Sequence, residues 1–236
     1  MGESNRGAYA VLWDVDGVVI DSAEQHRRAW EQLAAENGLP YTDAAFWASF
    51  GRRNADVIPA MFGVEDPPER IAALADRKEA LYRALVAEQG RALPGAVELM
   101  AALHAAGYRE ALASSAPQEN IALIVELLDL APSLQATVSG ESVARGKPAP
   151  DIFLAAAQAL GVAPAHCLVI EDAPAGVRAA HAAGMKCLAV RRPGQPDAPG
   201  LDAADALVSS LTEASVALVD RLLGVSSPDA PSSAGA

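Results

Sequence analysis

One segment near the amino terminus constrains the fold more than any other. Five apolar residues, 9–13, run into Asp14, and a second aspartate, Asp16, follows just before Gly17. A short uninterrupted apolar run that ends at a turn residue is typical of a buried strand. Such strands belong to parallel sheets covered by helices on both faces, with ligands bound beyond their carboxyl ends. We therefore expect Asp14 and Asp16 to lie at the exit of a buried strand.

Two carboxylates at such an exit predict a bound cation. They repel each other, and burying a charge is costly unless something pairs with it. Oxygen ligands without histidine or cysteine suit Mg²⁺ better than zinc. The same residues also fit a strand that simply ends and turns at Gly17, so the pair alone leaves both interpretations open.

Composition limits the partners and the location. The formal net charge of −12 argues against nucleic acid or an anionic membrane, because both need a basic surface. A phosphorylated metabolite remains compatible, since a few cations and a metal can reverse the field inside a cleft. Residues 1–8 lack the apolar core of a signal peptide, and no apolar run reaches membrane-spanning length. Cys167 and Cys187 are expected to be buried reduced thiols, which predicts a cytoplasmic protein. We also expect a monomer.

Helical and strand patterns predict two domains. Residues 22–91 show helical periodicity without a strand, whereas strand and helix patterns alternate after Gly95. Alternation of this kind predicts an α/β fold with a doubly wound parallel sheet. The expected parts are a core domain of residues 1–21 and 92–223, an inserted helical cap domain of residues 22–91, and a disordered tail of residues 224–236.

Two helix boundaries can be predicted within this plan. Ser22, followed by Gln25, predicts a capping box at the start of the first helix, which we expect to end near Gly38. At the other end of the core, residues 211–223 are expected to form one helix.

Three polar features of the helical block leave their roles open. His26 and Lys78 each lie on the apolar stripe of a helix. Such a histidine is either a packed core residue or a functional one, and such a lysine either snorkels to solvent or points into a polar cleft. The basic loop at residues 51–54 contains Arg52 and Arg53, which are either solvated or anion ligands.

Polar groups also follow the later strands. Ser114 ends one predicted strand, Lys147 lies in a loop, and Glu171 and Asp172 end another strand. Because strand exits of a parallel sheet share one edge, these groups should converge with the first aspartates. Carboxylates, a hydroxyl and a lysine suit phosphoryl transfer, in which a metal and a lysine hold phosphoryl oxygens while a carboxylate attacks phosphorus.

Together these segments resemble the haloacid dehalogenase-like superfamily, in its β-phosphoglucomutase-like and phosphoglycolate-phosphatase-like branch. The similarity extends over nearly the whole chain and implies a Rossmann-like core with a helical cap. It rests on four motifs in this order: Asp14-Val15-Asp16-Gly17-Val18, Leu112-Ala113-Ser114-Ser115, Gly146-Lys147-Pro148 with Pro150-Asp151, and Ile170-Glu171-Asp172-Ala173-Pro174-Ala175-Gly176.

The resemblance implies a role for each core residue. Asp14 would be the nucleophile that becomes an aspartyl phosphate, and Asp16 the general acid and then the base. Ser114 and Lys147 would hold the phosphoryl oxygens. Since the similar dehalogenases lack the second aspartate, Asp16 favours phosphoryl transfer. The Mg²⁺ ligands would be Asp14, the backbone carbonyl of Asp16, Asp172 and, directly or indirectly, Glu171.

The resemblance also implies that the cap closes over the site and selects the substrate. The mutases carry Gly-x-Ser-Arg where this chain has Gly51-Arg52-Arg53-Asn54, which puts capture of a second phosphate in doubt. We therefore expect a Mg²⁺-dependent phosphatase for a small phosphorylated metabolite, a sugar or polyol phosphate, with a β-phosphoglucomutase-type phosphohexomutase as the alternative. A catalytically silent phosphate-binding protein is a third possibility. The expected substrate-binding residues are His26, Arg53, Asn54, Lys78 and Ser115.

Overall fold

The computed structural model describes residues 5–63, 67–191 and 199–225. Its centre is a parallel sheet of six strands in the order β3-β2-β1-β4-β5-β6. The doubly wound, Rossmann-like α/β fold predicted from the sequence is thereby confirmed. The strands are β1 (Ala10–Trp13), β2 (Arg109–Ser114), β3 (Ala136–Ser139), β4 (Cys167–Glu171), β5 (Lys186–Val190) and β6 (Ala206–Val208).

The helices cover both faces of the sheet and fill the segment between β1 and β2. In the described part of the chain they are α1 (Ala23–Asn37), α2 (Asp43–Ser49), α3 (Asn54–Phe62), α4 (Pro68–Gln89), α5 (Ala96–Ala105), α6 (Gln118–Leu127), α7 (Asp151–Leu160), α8 (Pro174–Ala182) and α9 (Val216–Leu223).

Strand β1 is buried on both faces, which explains its continuous apolar sequence. Val11 and Trp13 point into the hydrophobic cluster that contains α5, α6 and α9, whereas Ala10 and Leu12 point into the cluster formed with α7 and α8. Burying one such large apolar side chain contributes about 1.5–3 kcal/mol. Side chains of β1 therefore hold the two helical layers together, and the strand's exit is fixed.

Helices α1 to α4 form the insertion after β1, and its two connections to the sheet run side by side. Ile20 forms an antiparallel bridge with Ala92. The backbone amide of Asp21 donates to the carbonyl of Arg91 at 2.9 Å, and that of Leu93 donates to Val19 at 3.0 Å. The predicted domain boundaries at residues 21/22 and 91/92 fall at this paired connection and stay a prediction.

The predicted start of α1 is confirmed but its capping box is wrong, and the predicted start of the last helix is wrong. Ser22 occupies the position before α1, but its hydroxyl makes no capping bond and donates instead to the Asp16 carboxylate. Capping needs the hydroxyl oxygen to accept from the first amides of α1. The side chain is instead oriented by the stronger hydrogen bond that its proton makes to a buried carboxylate. The expected helix over residues 211–223 is interrupted, because the Ser215 hydroxyl accepts from Leu218 N and begins a separate helix, α9.

The remaining expectations concern the chain ends. Helix α1 ends at Gly38, as predicted, with that glycine in the left-handed conformation at φ 63°. Gly224 ends α9 in the same way, and residues 226–236 of the predicted disordered tail lie outside the described residues. None of the helices described is long and apolar enough to span a lipid bilayer.

Candidate active site

The strand register brings the core candidates together at one edge of the sheet. Trp13, which precedes Asp14, pairs with Leu112 of β2 and with Ile170 of β4. Strand β2 ends two residues after Leu112, at Ser114, and β4 ends at Glu171. Carboxylates and a hydroxyl from three neighbouring strands therefore meet at the same level.

Lys147 joins this group from the loop before α7. Its ammonium donates to Asp14 Oδ1 at 2.6 Å and to Glu171 Oε1 at 2.7 Å, and lies 4.9 Å from the centre of the Phe153 ring. Burial opposes the charged form, but the two carboxylates raise the pKa of Lys147 above its ordinary value. The lysine is thus a permanent buried cation next to Asp14.

One lysine does not balance the three carboxylates around it. Asp14, Glu171 and Asp172 are buried and offer oxygens that all lie within 4.8 Å of one another. Burial raises the pKa of Asp14 well above its ordinary value, helped by the charges of Glu171 and Asp172 and opposed by Lys147. A further cation would allow all three to ionise. The oxygen-only donor set fits Mg²⁺.

Glu171 is oriented more tightly than its neighbours. Its Oε2 accepts from the backbone amides of Asp172 and Ala173, both at 2.7 Å, while Oε1 accepts from Lys147. A Cβ atom at Gly176 would collide with this carboxylate, so glycine at the start of α8 makes room for it. Glu171 therefore holds Lys147 and the turn after β4 in place, which fits an indirect role at a metal better than a direct one.

Ser114 offers a hydroxyl proton at the same edge. Its Oγ accepts from the backbone amide of Ala116 at 3.1 Å, and the side chain is buried. Because that amide uses an acceptor position of the oxygen, the hydroxyl proton remains available for a phosphoryl oxygen. Ser115 lines the same cleft, as expected from its position.

Asp16 faces the cap rather than the lysine. Its Oδ1 accepts three hydrogen bonds, from Ser22 Oγ at 2.7 Å, His26 Nε2 at 2.9 Å and Tyr82 Oη at 2.7 Å. Burial opposes ionisation, but His26, followed by Tyr82 and Ser22, lowers the pKa of Asp16 below its ordinary value. Among the described residues no donor reaches Oδ2, which leaves that oxygen for a substrate or a water molecule.

Sequence reasoning missed Tyr82 and Ser22 as partners of Asp16. Tyr82 lies four residues after Lys78 on the buried stripe of α4, and burial together with Asp16 raises its pKa well above the ordinary value. It therefore stays a hydrogen-bond donor. A tyrosine one helical turn from a buried lysine was the only available signal.

Lys78 and His26 form a chain that ends on Asp16. Lys78 Nζ lies 2.7 Å from His26 Nδ1, and the His26 ring stacks on Tyr82 with 3.9 Å between ring centres. A lysine ammonium has donors only, so Nδ1 must accept and Nε2 carries the proton that is donated to Asp16. Of the two interpretations of Lys78, the polar cleft is correct, because its side chain is buried and lines the cleft.

The cleft lies between the cap helices and the sheet edge, and its cavity volume is about 40 Å³. Its base is polar, and its cap side is partly aromatic. Fifteen residues line it: Asp14, Asp16, His26, Trp30, Phe46, Ser49, Phe50, Gly51, Arg52, Asn54, Val57, Lys78, Ser114, Ser115 and Ala116.

Arg53, which was expected to bind substrate, does not line this cleft. Its Nη1 donates to the carbonyl of Ala144 at 3.3 Å, and its Nε donates to Asp56 at 3.3 Å. The neighbouring Arg52 lines the cleft instead. Its exposed side chain makes no hydrogen bond or ion pair within residues 5–63, 67–191 and 199–225. The loop thus offers the cleft an arginine one position earlier than expected, and a substrate-binding role for Arg53 stays a prediction.

Comparisons with known proteins show which proteins this chain is similar to. The chain is 35% identical over 205 residues to hexitol phosphatase A of Escherichia coli, covering 87% of this chain and 92% of the relative. It is 34% identical over 194 residues to β-phosphoglucomutase of Bacillus subtilis, covering 79% and 84%. A match of 38% identity over 189 residues to the Arabidopsis thaliana protein SUPPRESSOR OF QUENCHING 1, chloroplastic, covers 77% of this chain but only 18% of that longer protein.

A solved structure and a family model extend the comparison. The crystal structure of CbbY from Rhodobacter sphaeroides in complex with phosphate superposes with a TM-score of 0.80 at 27% identity, covering 90% of this chain and 99% of that one. The model of the haloacid dehalogenase-like hydrolases matches residues 9–184, which include the strand exits described above. The chain belongs to the haloacid dehalogenase-like hydrolase family.

Proposed function

We propose that this protein is a Mg²⁺-dependent phosphatase that hydrolyses a small sugar or polyol phosphate through an aspartyl phosphate on Asp14. The observation that carries the proposal is the buried group at the sheet edge. There, Lys147 contacts Asp14 at 2.6 Å, and the other catalytic carboxylate, Asp16, receives three hydrogen bonds from its own side of the cleft. The nucleophile, Asp14, thus lies next to a cation, while the acid–base group, Asp16, is hydrogen-bonded to the other side of the cleft.

The first chemical step transfers the phosphoryl group to the protein. A carboxylate oxygen of Asp14 attacks phosphorus, and the bond to the substrate's ester oxygen breaks while Asp16 gives that oxygen a proton. Because its hydrogen bonds lower the pKa of Asp16, the protonated form that acts here is the minor form of the free protein. Ser114 and Lys147 donate to the other phosphoryl oxygens. In the second step Asp16 takes a proton from water, whose oxygen attacks phosphorus and releases phosphate and free Asp14.

The acidic cluster supplies the residues for Mg²⁺. Asp14, Asp172 and the backbone carbonyl of Asp16 would hold the ion, and Glu171 would orient Lys147 beside it. When bound, the ion would supply positive charge against the transferring group. Asp14 would then ionise despite its neighbouring carboxylates, which is the reason to expect activity that depends on a divalent cation.

The cap side of the cleft supports a sugar or polyol as the rest of the substrate. Trp30 and Phe50 provide flat apolar walls, while Asn54, Lys78 and Arg52 provide donors for hydroxyl groups. The relatives named as hexitol phosphatase and β-phosphoglucomutase act on phosphorylated carbohydrates by their names, which supports the same class for this chain.

The phosphohexomutase remains the second candidate. It is favoured by the β-phosphoglucomutase relative and by Arg52, an unpaired cation within the described residues that could hold a second phosphate. Against it, the side chain of Arg53 is occupied by Asp56 and a core carbonyl. The phosphatase therefore has the stronger support.

We further propose that the protein acts in the cytoplasm as a monomer. Cys167 and Cys187 are both buried free thiols, which is the state of cysteines in a reducing compartment. A single species at the mass of one chain in size-exclusion chromatography with light scattering supports the monomer, and a dimer contradicts it.

Phosphorus NMR tests the function directly. The purified protein is mixed with Mg²⁺, a panel of sugar and polyol phosphates that includes β-glucose 1-phosphate, and a trace of β-glucose 1,6-bisphosphate as primer. Growth of inorganic phosphate that stops when the metal is chelated supports the phosphatase. Conversion of β-glucose 1-phosphate to glucose 6-phosphate with little free phosphate favours the mutase, and no change in any ester overturns both.

A further inference from the structure

Glu79 lies at the centre of the polar contacts that join the cap to the core. This residue of α4 is 5% exposed. Its Oε1 accepts from Lys78 Nζ at 2.9 Å and from Asn54 Nδ2 at 2.6 Å, and its Oε2 accepts from Asn120 Nδ2 at 2.6 Å. Asn120 belongs to α6 of the core. We propose that Glu79 is a positioning residue that aligns Lys78 in the cleft and fastens the cap to the core through one side chain.

The contacts of Glu79 favour its charged form. Burial opposes ionisation, but Lys78, followed by His26 and Asn120, lowers the pKa of Glu79 below its ordinary value. A buried carboxylate with three donors on its two oxygens is rigid, because turning the side chain would leave charge without a partner. Lys78 is held correspondingly, between Glu79 on one side and the His26 ring on the other.

Alignment of Lys78 reaches the reacting groups through His26. The lysine can only donate to Nδ1, so His26 must donate from Nε2 to Asp16 Oδ1. If Lys78 swings away, Nδ1 loses its donor and the ring is free to change its tautomer or turn. Glu79 therefore acts on the acid–base carboxylate indirectly, through two side chains, and needs no contact with substrate.

The core end of the contact is equally defined. Asn120 is fully buried, and its Oδ1 accepts from Arg83 Nη1 at 3.0 Å, which directs its amide donor toward Glu79. Helix α6 begins at Gln118, just after the segment that carries Ser114 and Ser115. When Glu79 binds Asn120, Lys78 of the cap and the hydroxyls of Ser114 and Ser115 face the same cleft. Because Glu79 makes both contacts, closing the cap also aligns Lys78.

This inference rests on the proposed function for its kinetic part only. The test variant is E79Q, which keeps the size of the side chain but removes its charge. Its new amide NH₂ group faces the NH₂ group of Asn120, so two donors meet and the hydrogen bond is lost. The matched control is E88Q, the same substitution on the same helix. Glu88 is exposed, and its side chain has no hydrogen bond or ion pair in the described part of the structure.

Hydrogen–deuterium exchange measures the fastening without any catalysis. We expect E79Q to exchange faster than wild type in α4 and in the first turns of α6, with unchanged strands β1 and β4, while E88Q matches wild type. Equal exchange in E79Q and wild type overturns the fastening role. If E79Q does not fold, N120A removes the Glu79 hydrogen bond from the core side, together with the one from Arg83, and is expected to speed exchange in the same segments.

Steady-state kinetics on the best sugar phosphate measure the alignment. We expect kcat of E79Q to fall by about 10- to 100-fold. KM should rise by no more than about threefold, because Lys78 and Asn54 remain in the cleft although Glu79 no longer aligns them. A rise in KM with unchanged kcat overturns the positioning role. If wild type hydrolyses no ester, the proposed function fails while the exchange experiment still decides the fastening.

A double variant separates the two roles of Glu79. In the combination of E79Q with N120D, the amide at position 79 donates and the carboxylate at position 120 accepts. The hydrogen bond between the cap and the core is thus restored, but Lys78 lacks the carboxylate next to it. Exchange in α6 should return to the wild-type rate while kcat stays low. Full recovery of kcat contradicts the alignment of Lys78 by Glu79, and exchange that stays fast contradicts the role of the Glu79–Asn120 hydrogen bond in fastening the cap.

Discussion

The two sides of the cleft are built in different ways. On the core side, Asp14, Ser114 and Glu171 each follow or end a strand, and their relative positions are given by the pairing of β1 with β2 and β4. On the cap side, His26 and Lys78 come from separate helices, and side-chain hydrogen bonds hold them together. The core site is therefore fixed by backbone register, and the cap site by a network that depends on each of its members.

This difference suggests a division of labour. Groups fixed by register keep their geometry whether or not the cap is closed, so they suit the chemistry shared by every substrate. Groups fixed by a network between the cap and the core are aligned only when each of its hydrogen bonds is made, so they suit substrate choice and timing. Asp16 belongs to both, because its backbone follows β1 while its carboxylate binds the cap.

The largest expected effect on activity comes from removing the nucleophile on the core side of the cleft. Asp14→Asn removes the nucleophile without changing the size of the side chain, and we expect turnover to fall by a factor of about 10⁴ or more. Phosphate release is the measurement, and an unchanged circular dichroism spectrum is the control for folding. A variant that keeps most of its activity would refute the aspartyl-phosphate mechanism.

The next largest effect tests the residue shared by both sides. Asp16→Asn keeps hydrogen bonding with the cap but removes the proton donor and acceptor, and we expect kcat to fall by about 10² to 10⁴. Asp14 still attacks phosphorus, so an aryl phosphate, whose leaving group needs no proton, should phosphorylate Asp14 nearly as fast as in wild type, whereas a sugar phosphate should not. Rapid-quench measurement of phosphoprotein checks this. An equal loss in the rate of Asp14 phosphorylation with the aryl phosphate and with a sugar phosphate would contradict the role of Asp16 as an acid.

The core geometry could largely be predicted from the sequence, for a physical reason. A buried apolar run followed by Asp14, and another followed by Glu171 and Asp172, are local patterns, and parallel pairing brings their ends together in any doubly wound sheet. The contacts of the cap are not local. Ser22 has the sequence pattern of a helix cap, yet its hydroxyl donates to Asp16, because a hydrogen bond to a buried carboxylate is stronger than one accepted from a helix amide.

Arg52 and Arg53 illustrate the same limit. Both lie in one short loop, and sequence spacing cannot say which one faces the cleft. Contact with the core decides it. Arg53 lies against the loop before Lys147, where a Cβ atom at Gly146 would lie 2.7 Å from its Nε, and Arg52 is left at the cleft. A helical pattern can place Glu79 on α4, but it cannot predict that Asn54 of α3 and Asn120 of α6 join Lys78 as its hydrogen-bond donors.

The arginine pair provides a smaller test on the cap side. Arg53→Ala should lower kcat/KM about tenfold for every substrate alike, because it removes hydrogen bonds between cap and core. Arg52→Ala should raise KM by about threefold and only for substrates with a second anionic group, because the side chain is exposed and screened by solvent. Kinetics on a mono- and a bisphosphorylated sugar check both. If Arg53→Ala alone discriminates between them, Arg53 is the substrate ligand after all.

The smallest effect on activity concerns a buried acid of the core. Glu110 in β2 is fully buried and accepts one hydrogen bond, from Trp13 Nε1 at 2.9 Å, while its Oε1 is without a partner in the described structure. Burial raises the pKa of Glu110 to about 8, against the opposing effect of Trp13. The folded protein therefore keeps a proton that the unfolded chain loses near its ordinary value of 4.5.

Stability should consequently fall as the pH rises between these two values. The folded state binds more protons than the unfolded state there, so Glu110 lowers the free energy of unfolding by up to about 1.4 kcal/mol for each pH unit. Glu110→Gln stays neutral and should remove this slope, while its changed hydrogen bonding adds only a constant offset. Urea unfolding from about pH 5 to about pH 8 checks it, with the exposed Glu98→Gln as control and kcat expected to be unchanged. Parallel stability curves for wild type and Glu110→Gln would mean that Glu110 is already ionised in the folded protein.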